Sequence, residues 1–284
     1  MSQSSAPSAA PALADLDLAF DEMVTGQGGV RAHWQTLLSA VNSLPGSGLA
    51  ERTDSARRLL AEDGALYNAY ADPRGADHQW RFDLLPVILQ AQEWSILEAG
   101  LAQRARLLDA ILADIYGPQR LLHERMLPPA LVFANPEFLR PSREPDRARG
   151  GMLQCYAADL VRLPDGSWSV LADRTQLAAG VGYALENRRV LARTMPEAFR
   201  GQPVSPLRPF FDLWQSALQG LAPHDRDNPH MVLLTPGPEH AAYFEHVYLA
   251  RALGITPVEG ADLDRRAAER AREMDGLARG RVLG

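Results

Sequence analysis

The chain has 284 residues, 46 % hydrophobic and 23 % charged, with a formal net charge of −6. That composition is ordinary for a globular protein, and the acidic balance argues against a nucleic-acid partner, which usually meets a basic face. No apolar run approaches the roughly 18 residues a membrane span needs. All 29 basic residues are arginine, so no Schiff base, Walker-type lysine or lysine–phosphate contact comes from this chain. The single cysteine, Cys155, excludes an internal disulfide framework and fits a reducing, cytoplasmic setting. It reads as a small core residue; a nucleophile is the alternative.

In chain order, residues 1–17 read as a Ser/Ala/Pro leader expected to be disordered, without the basic and apolar blocks of a signal peptide. A Gly-rich break, VTGQGGVRAHW, precedes an amphipathic helix. Arg31 and His33, just after Gly28-Gly29, mark either a helix start or an anion site. A second helix covers 49–62. GALYNAYADPRGADHQWRFDLLP reads as strand and turn. Residues 84–116 carry apolar residues at helical spacing, stopped by Gly117-Pro118. A short helix follows, then LVFANPEFL, expected as a strand. PSREPDRARGG (141–151) is a polar loop.

DLVRLPDGSWSVLADRTQ (159–176) is a hairpin: two alternating runs around Asp165-Gly166. Alternation sets Tyr156, Ala158, Leu160 and Arg162 against Trp168, Val170 and Ala172. It also brings Asp159 near the strand end that carries Asp173. Two carboxylates together need a cation between them, and Mg²⁺ favours such oxygen ligands. The alternative is a surface hairpin whose acids pair with Arg162 and Arg174.

GVGYALENRRV supplies Glu186, Asn187, Arg188 and Arg189 on a Gly-rich approach. These are oxygens for a hard cation and guanidinium groups for phosphate, or a helix start with exposed charges. After a helix at FFDLWQSALQGL and the linker APHDRDNPH, the pattern HMVLLTPGPEH, AAYFEHVYLARALG, ITPVEGADL is a βαβ unit. LTPGPEH lacks the G-x-G-x-x-G of a dinucleotide fold. His230, His240 and His246 show no H-E-x-x-H spacing and read as strand-end and helix-face residues rather than zinc ligands. The five tryptophans read as packing residues, since no basic residues interleave them.

Taken together, DLVRLPDGSWSVLADRTQ, GVGYALENR and LTPGPEHAAYFEHVYLARALGITPVEGADL resemble the circularly permuted ATP-grasp proteins, type 2. FDEM, GVRAHW, DGALYNAYADPRG, WRFDLLPVIL, GLAQRARLLDAILADIYGPQ and NPEFLR extend the likeness over about 18–263. The resemblance implies an α+β fold: a helical N-terminal region, a mixed β-sheet with a metal-bearing hairpin, and a pre-ATP-grasp-like βαβ unit. It implies a permuted ATP-grasp part at 18–225, the βαβ unit at 226–263 and an Arg-rich tail at 264–284. The activity implied is ATP- and Mg²⁺-dependent joining of a carboxylate to an amine through an acyl phosphate, with a peptide-like or small carboxylate substrate.

Carried over, Asp159, Asp173 and Glu186 are the implied metal ligands, with the choice between Asp173 and Glu186 open. The usual Glu-x-Asn reads here Asp173-Arg174-Thr175-Gln176. Gln176 and Asn187 would complete the oxygen shell and hold nucleotide, Arg174 and Arg188 would offset phosphoryl charge, and Glu239 and His240 would touch substrate. In this family the half that encloses adenine, with phosphate lysines, comes later in the chain. The expectation is therefore a truncated or frameshifted ligase, inactive alone. Its partner would be a downstream-encoded half or a helical domain. The other reading is a scaffold or split subunit.

Overall fold

The computed structural model of the chain describes residues 20–65, 82–140, 151–176, 179–200, 202–222 and 229–262. Most of GALYNAYADPRGADHQWRFDLLP, nearly all of the 141–151 loop, the leader, and the 264–284 tail lie outside these residues. The chain divides into two compact units, Met1–Ser39 with Pro86–Ala178, and Ala40–Leu85 with Ala179–Gly284. The architecture is α+β, with two separate two-stranded sheets among the described residues rather than one mixed sheet. No helix among these residues is long and apolar enough to cross a membrane.

In the first unit the Gly-rich segment closes on itself. Val24 bridges Val30 across a turn in which Gly28 adopts φ +80°, a conformation that costs glycine little. A 3-10 turn, Ala32–Trp34, leads into α1, Gln35–Asn42, and buries Trp34. The long helix α3 spans Ala91–Ile115 and buries no residue fully. Its end is built by Asp114, whose carboxylate accepts the N–H groups of Arg120 and Leu121 that open α4, Arg120–His123. Strands β1, Ala157–Arg162, and β2, Trp168–Arg174, form the antiparallel hairpin. The turn is fixed by Gly166 at φ +85° and by Asp165, which accepts from the backbone N–H and hydroxyl of Ser167.

LVFANPEFL is not a strand. Pro129 occupies the first turn of a short helix α5, Pro129–Phe133, where its missing N–H costs nothing. Asn135 then turns the chain by accepting the N–H of Glu137, and Phe138 packs on Tyr116 and Phe133. The apolar run suggested a strand, but Pro129, with its φ preset for the first turn of a helix, starts a helical turn there instead.

The second unit has the larger apolar core. α2, Gly48–Glu62, packs its Ala56 and Leu60 face on α6, Val181–Thr194, which buries Val190, Leu191 and Thr194. A short helix α7, Pro196–Phe199, follows, then α8, Arg208–Gly220. β3, Val232–Thr235, and β4, Thr256–Glu259, pair in parallel, joined by α9, Tyr243–Leu253. This is the expected βαβ unit, with Gly254 at φ +65° closing the helix. Phe211, Leu249 and Leu253 form the centre of this unit, covered by Trp214, Leu233 and Ile255.

Candidate functional site

The hairpin carries a bulge between Asp159 and Leu160: Asp159 pairs with Ala172, but Leu160 pairs with Val170. Leu171 is the extra residue, and it is 73 % exposed. A bulge reverses the alternation of the strand that carries it. Trp168 and Val170 therefore share a face with Leu160 and Arg162, and Asp173, not Ala172, continues that face. Asp159 and Ala172 lie on the other. The structure thus keeps Asp159 and Asp173 apart, contrary to the spacing argument.

Each of the two acids meets an arginine instead. Asp159 accepts from Arg174 Nε at 3.0 Å and Nη2 at 2.7 Å. Asp173 receives a two-pronged guanidinium from Arg104 of α3, at 2.6 and 2.7 Å, and the hydroxyl of Tyr156 at 2.8 Å. The Arg104 bonds, then the Tyr156 bond, hold the Asp173 carboxyl below its ordinary value. Burial and the same carboxylate raise the Tyr156 phenol. Gln176, at the end of the described hairpin segment, is exposed.

Above the turn, Arg162 is the hub. It donates to both oxygens of Glu22 at 2.9 and 3.0 Å, to Glu93, and to the carbonyl of Gly166 at 2.9 Å. Its guanidinium lies 4.1 Å from the centre of the Trp168 ring and 4.8 Å from that of Phe20. Glu93 also accepts the Trp168 indole N–H at 2.8 Å. Burial pushes the Glu93 carboxyl up, but the Arg162 and Trp168 hydrogen bonds outweigh it and leave the group below its ordinary value. On α3, Glu93, Leu97, Gly100 and Arg104 follow helical spacing, so one face meets the hairpin. Together α3, the hairpin and residues 20–33 enclose a cleft of 1110 Å³.

The remaining nominated residues belong to the second unit. Glu186 is 1 % exposed. Arg189, one helical turn on, donates to both its oxygens at 2.9 and 2.6 Å and also reaches Asp63. Arg188 is anchored to the carbonyl of Ser205 at 2.5 Å, and Asn187 is half-buried on α6. Glu239 and His240 are exposed in the loop after β3. The His240 ring stacks on His246, 5.3 Å between centres, and His246 Nδ1 lies 2.9 Å from the hydroxyl of Thr235. Burial, and then His240, lower the His246 imidazole, against a smaller raising effect of Glu245.

Three residues that the sequence reading did not nominate organise these sites. Arg104 and Tyr156 saturate Asp173. Glu245 of α9, 2 % exposed, accepts the N–H groups of Gly180 and Gly182 at 2.6 and 2.9 Å. It puts a negative charge at the positive N-terminus of α6. A Cβ on Gly182 would come within 2.9 Å of its Cγ, so glycine is required for this approach. A bare acid on an apolar helix face next to His246 was the available signal for Glu245. Arg104 had none.

A Mg²⁺ ion shared by the two hairpin acids does not fit this arrangement. Asp159 and Asp173 face opposite ways, the three nominated acids are each engaged by an arginine, and no cluster of three His, Cys, Asp or Glu side chains suited to a metal occurs among the described residues.

Residues 86–282 match the circularly permuted ATP-grasp type 2 family. Uncharacterized protein Rv2567 of Mycobacterium tuberculosis H37Rv is 40 % identical over 252 residues, covering 86 % of this chain and 28 % of that protein. Uncharacterized protein sll0335 of Synechocystis is 34 % identical over 244 residues, 86 % of this chain and 51 % of its own length. Uncharacterized protein ML0605 of Mycobacterium leprae is 34 % identical over 246 residues, 87 % of this chain and 43 % of its own. The chain therefore spans between about a quarter and a half of the curated relatives it matches.

Proposed function

The chain belongs to the circularly permuted ATP-grasp type 2 family, and from that premise we propose that it is a portion of an ATP-dependent carboxylate–amine ligase. The observation that carries the reading is the family match over 86–282, which takes in the hairpin, the ALENR helix and the βαβ unit in order. In such a ligase the carboxylate attacks the terminal phosphoryl group of ATP and forms an acyl phosphate with release of ADP. The amine then displaces phosphate and leaves an amide. Arg174 and Arg188 are the proposed counter-charges for phosphoryl transfer, Gln176 and Asn187 the nucleotide contacts, and Glu239 and His240 the substrate contacts. Asp159, Asp173 and Glu186 remain the proposed acids for Mg²⁺, each reachable only if its arginine is exchanged.

A second reading, a scaffold or split subunit that lacks the chemistry, is favoured by that same arginine pairing and by the absence of lysine from the sequence. Equilibrium binding of ATP to the 284-residue chain, with and without Mg²⁺, separates the two. The ligase reading expects Mg²⁺-dependent binding that weakens at least tenfold in Asp159→Asn and Asp173→Asn. Affinity unchanged in both variants would sink the metal assignment and leave the scaffold.

A further inference from the structure

Arg31, whose sequence context left a choice between helix start and anion site, lines the 1110 Å³ cleft together with His33. Three arginines line this cleft, and two are answered by acids: Arg162 by Glu22 and Glu93, Arg104 by Asp173. Arg31 is not. Its Nε donates to the Asp21 carbonyl at 3.1 Å and its plane lies 4.3 Å over Phe20. Its two terminal nitrogens have no hydrogen-bond partner among the described residues. The nearby Asp21 carboxylate accepts the N–H groups of Met23 and Val24 through Oδ1 and attracts Arg31 only through space. The two acids lining the cleft, Glu22 and Glu93, are both drawn onto Arg162.

The wall beside Arg31 is apolar where a surface helix would be polar. Ile96 and Leu107 of α3 are 70 % and 59 % exposed, and Leu97 and Leu101 complete that wall. An exposed apolar strip inside a cleft is the usual mark of a ligand body. Gln90, Gln92 and Gln103 also line the cleft, and their side-chain amides have no hydrogen-bond partner among the described residues. A primary amide pairs with a secondary amide by giving N–H to its oxygen and taking its N–H.

We propose that this cleft binds an organic carboxylate whose body is apolar and contains amides, with Arg31 on the carboxylate. Arginine presents two parallel N–H groups to such a head, the α3 leucines and Ile96 cover the body, and the glutamines read its amides. The chemistry is that of the carboxyl end of a short apolar peptide. The proposal gives the ligase reading its carboxylate substrate and rests on that reading only for the ligand's later fate.

The test is calorimetric titration of the 284-residue chain, without nucleotide, with N-acetyl-leucyl-leucine, its C-terminal carboxamide and octanoate. The free acid is expected to bind, and the carboxamide and octanoate each to bind at least tenfold more weakly. Arg31→Gln should lose at least tenfold for the acid and little for the carboxamide. Because Arg31 also stacks on Phe20, Ile96→Glu at an exposed position supplies a second variant with the same expected loss. Equal binding of acid and carboxamide, unchanged affinity in Ile96→Glu, or no binding at millimolar acid would each overturn the proposal. Octanoate binding as tightly as the dipeptide would overturn the amide part. A chain that binds the acid but neither binds ATP nor releases phosphate keeps this site and loses the ligase.

Discussion

The two units are held together differently. In the second, twelve buried hydrophobic residues, from Ala56 to Leu253, pack around α6, α8, α9 and the parallel strands. In the first, only Trp34, Leu37 and Val132 are buried among the described hydrophobic residues, and α3 meets the hairpin through Glu93, Arg104, Arg162 and Asp173. Apolar burial contributes about 25 cal/mol per Å² and is unaffected by modest salt, whereas exposed ion pairs contribute roughly 0–1 kcal/mol each. The exposed pairs, Arg104–Asp173 and Arg174–Asp159, surrender little when a ligand replaces one of them, whereas the more buried Arg162 cluster does not exchange so cheaply. The difference assigns stability to one unit and exchangeable polar contacts to the other.

The comparison breaks most sharply at Phe211. Phe211→Ala should cost about 3–5 kcal/mol in urea unfolding, the usual loss for a large buried aromatic. A loss no larger than that of an ion-pair variant would erase the contrast. Next in size is Glu245→Ala, which leaves the buried Gly182 N–H without an acceptor and should cost about 2 kcal/mol. Glu245→Gln keeps an oxygen in place and should recover most of that loss. If Gln behaves like Ala, the charge at the helix terminus, not the hydrogen bond, is the larger effect.

The smallest effect is expected in the first unit. Arg104→Met should change urea unfolding least of the three, because Arg104 is exposed and the pair is screened by salt. Its clear readout is the Asp173 carboxyl titration by NMR. In the folded protein that group sits below its ordinary value of 3.8. Its stabilisation is therefore complete above the unfolded value and is lost as pH falls through the folded one. Arg104→Met should move the Asp173 titration up toward 3.8 and flatten the acid limb of the stability curve. An unmoved titration would mean that Tyr156 alone holds the carboxylate.

Local signals made much of the fold legible. Pro-Asp-Gly marked the hairpin, Gly254 closed α9, and an apolar run followed by a helix marked the parallel pair. The misread segment, LVFANPEFL, failed because its apolar run at 131–134 suits a strand as well as a helical turn. There Pro129 decides. What the hairpin acids touch was not legible in the sequence. Period-two counting cannot register the bulge opposite Asp159, and that one extra residue turns Asp173 toward α3. Arg104 lies 69 positions from Asp173 in the chain, on a helix whose charges look like a solvated face. The second reading of the hairpin acids, pairing with arginine, was right for Asp159 and Arg174, while Arg162 found Glu22 and Glu93 instead.

The measurement that tests the ligase reading most directly is equilibrium binding of ATP to the 284-residue chain across a Mg²⁺ titration. The account predicts binding that requires Mg²⁺ and weakens at least tenfold in Asp173→Asn. No binding of Mg-ATP, or binding indifferent to both Asp173→Asn and Asp159→Asn, would contradict it.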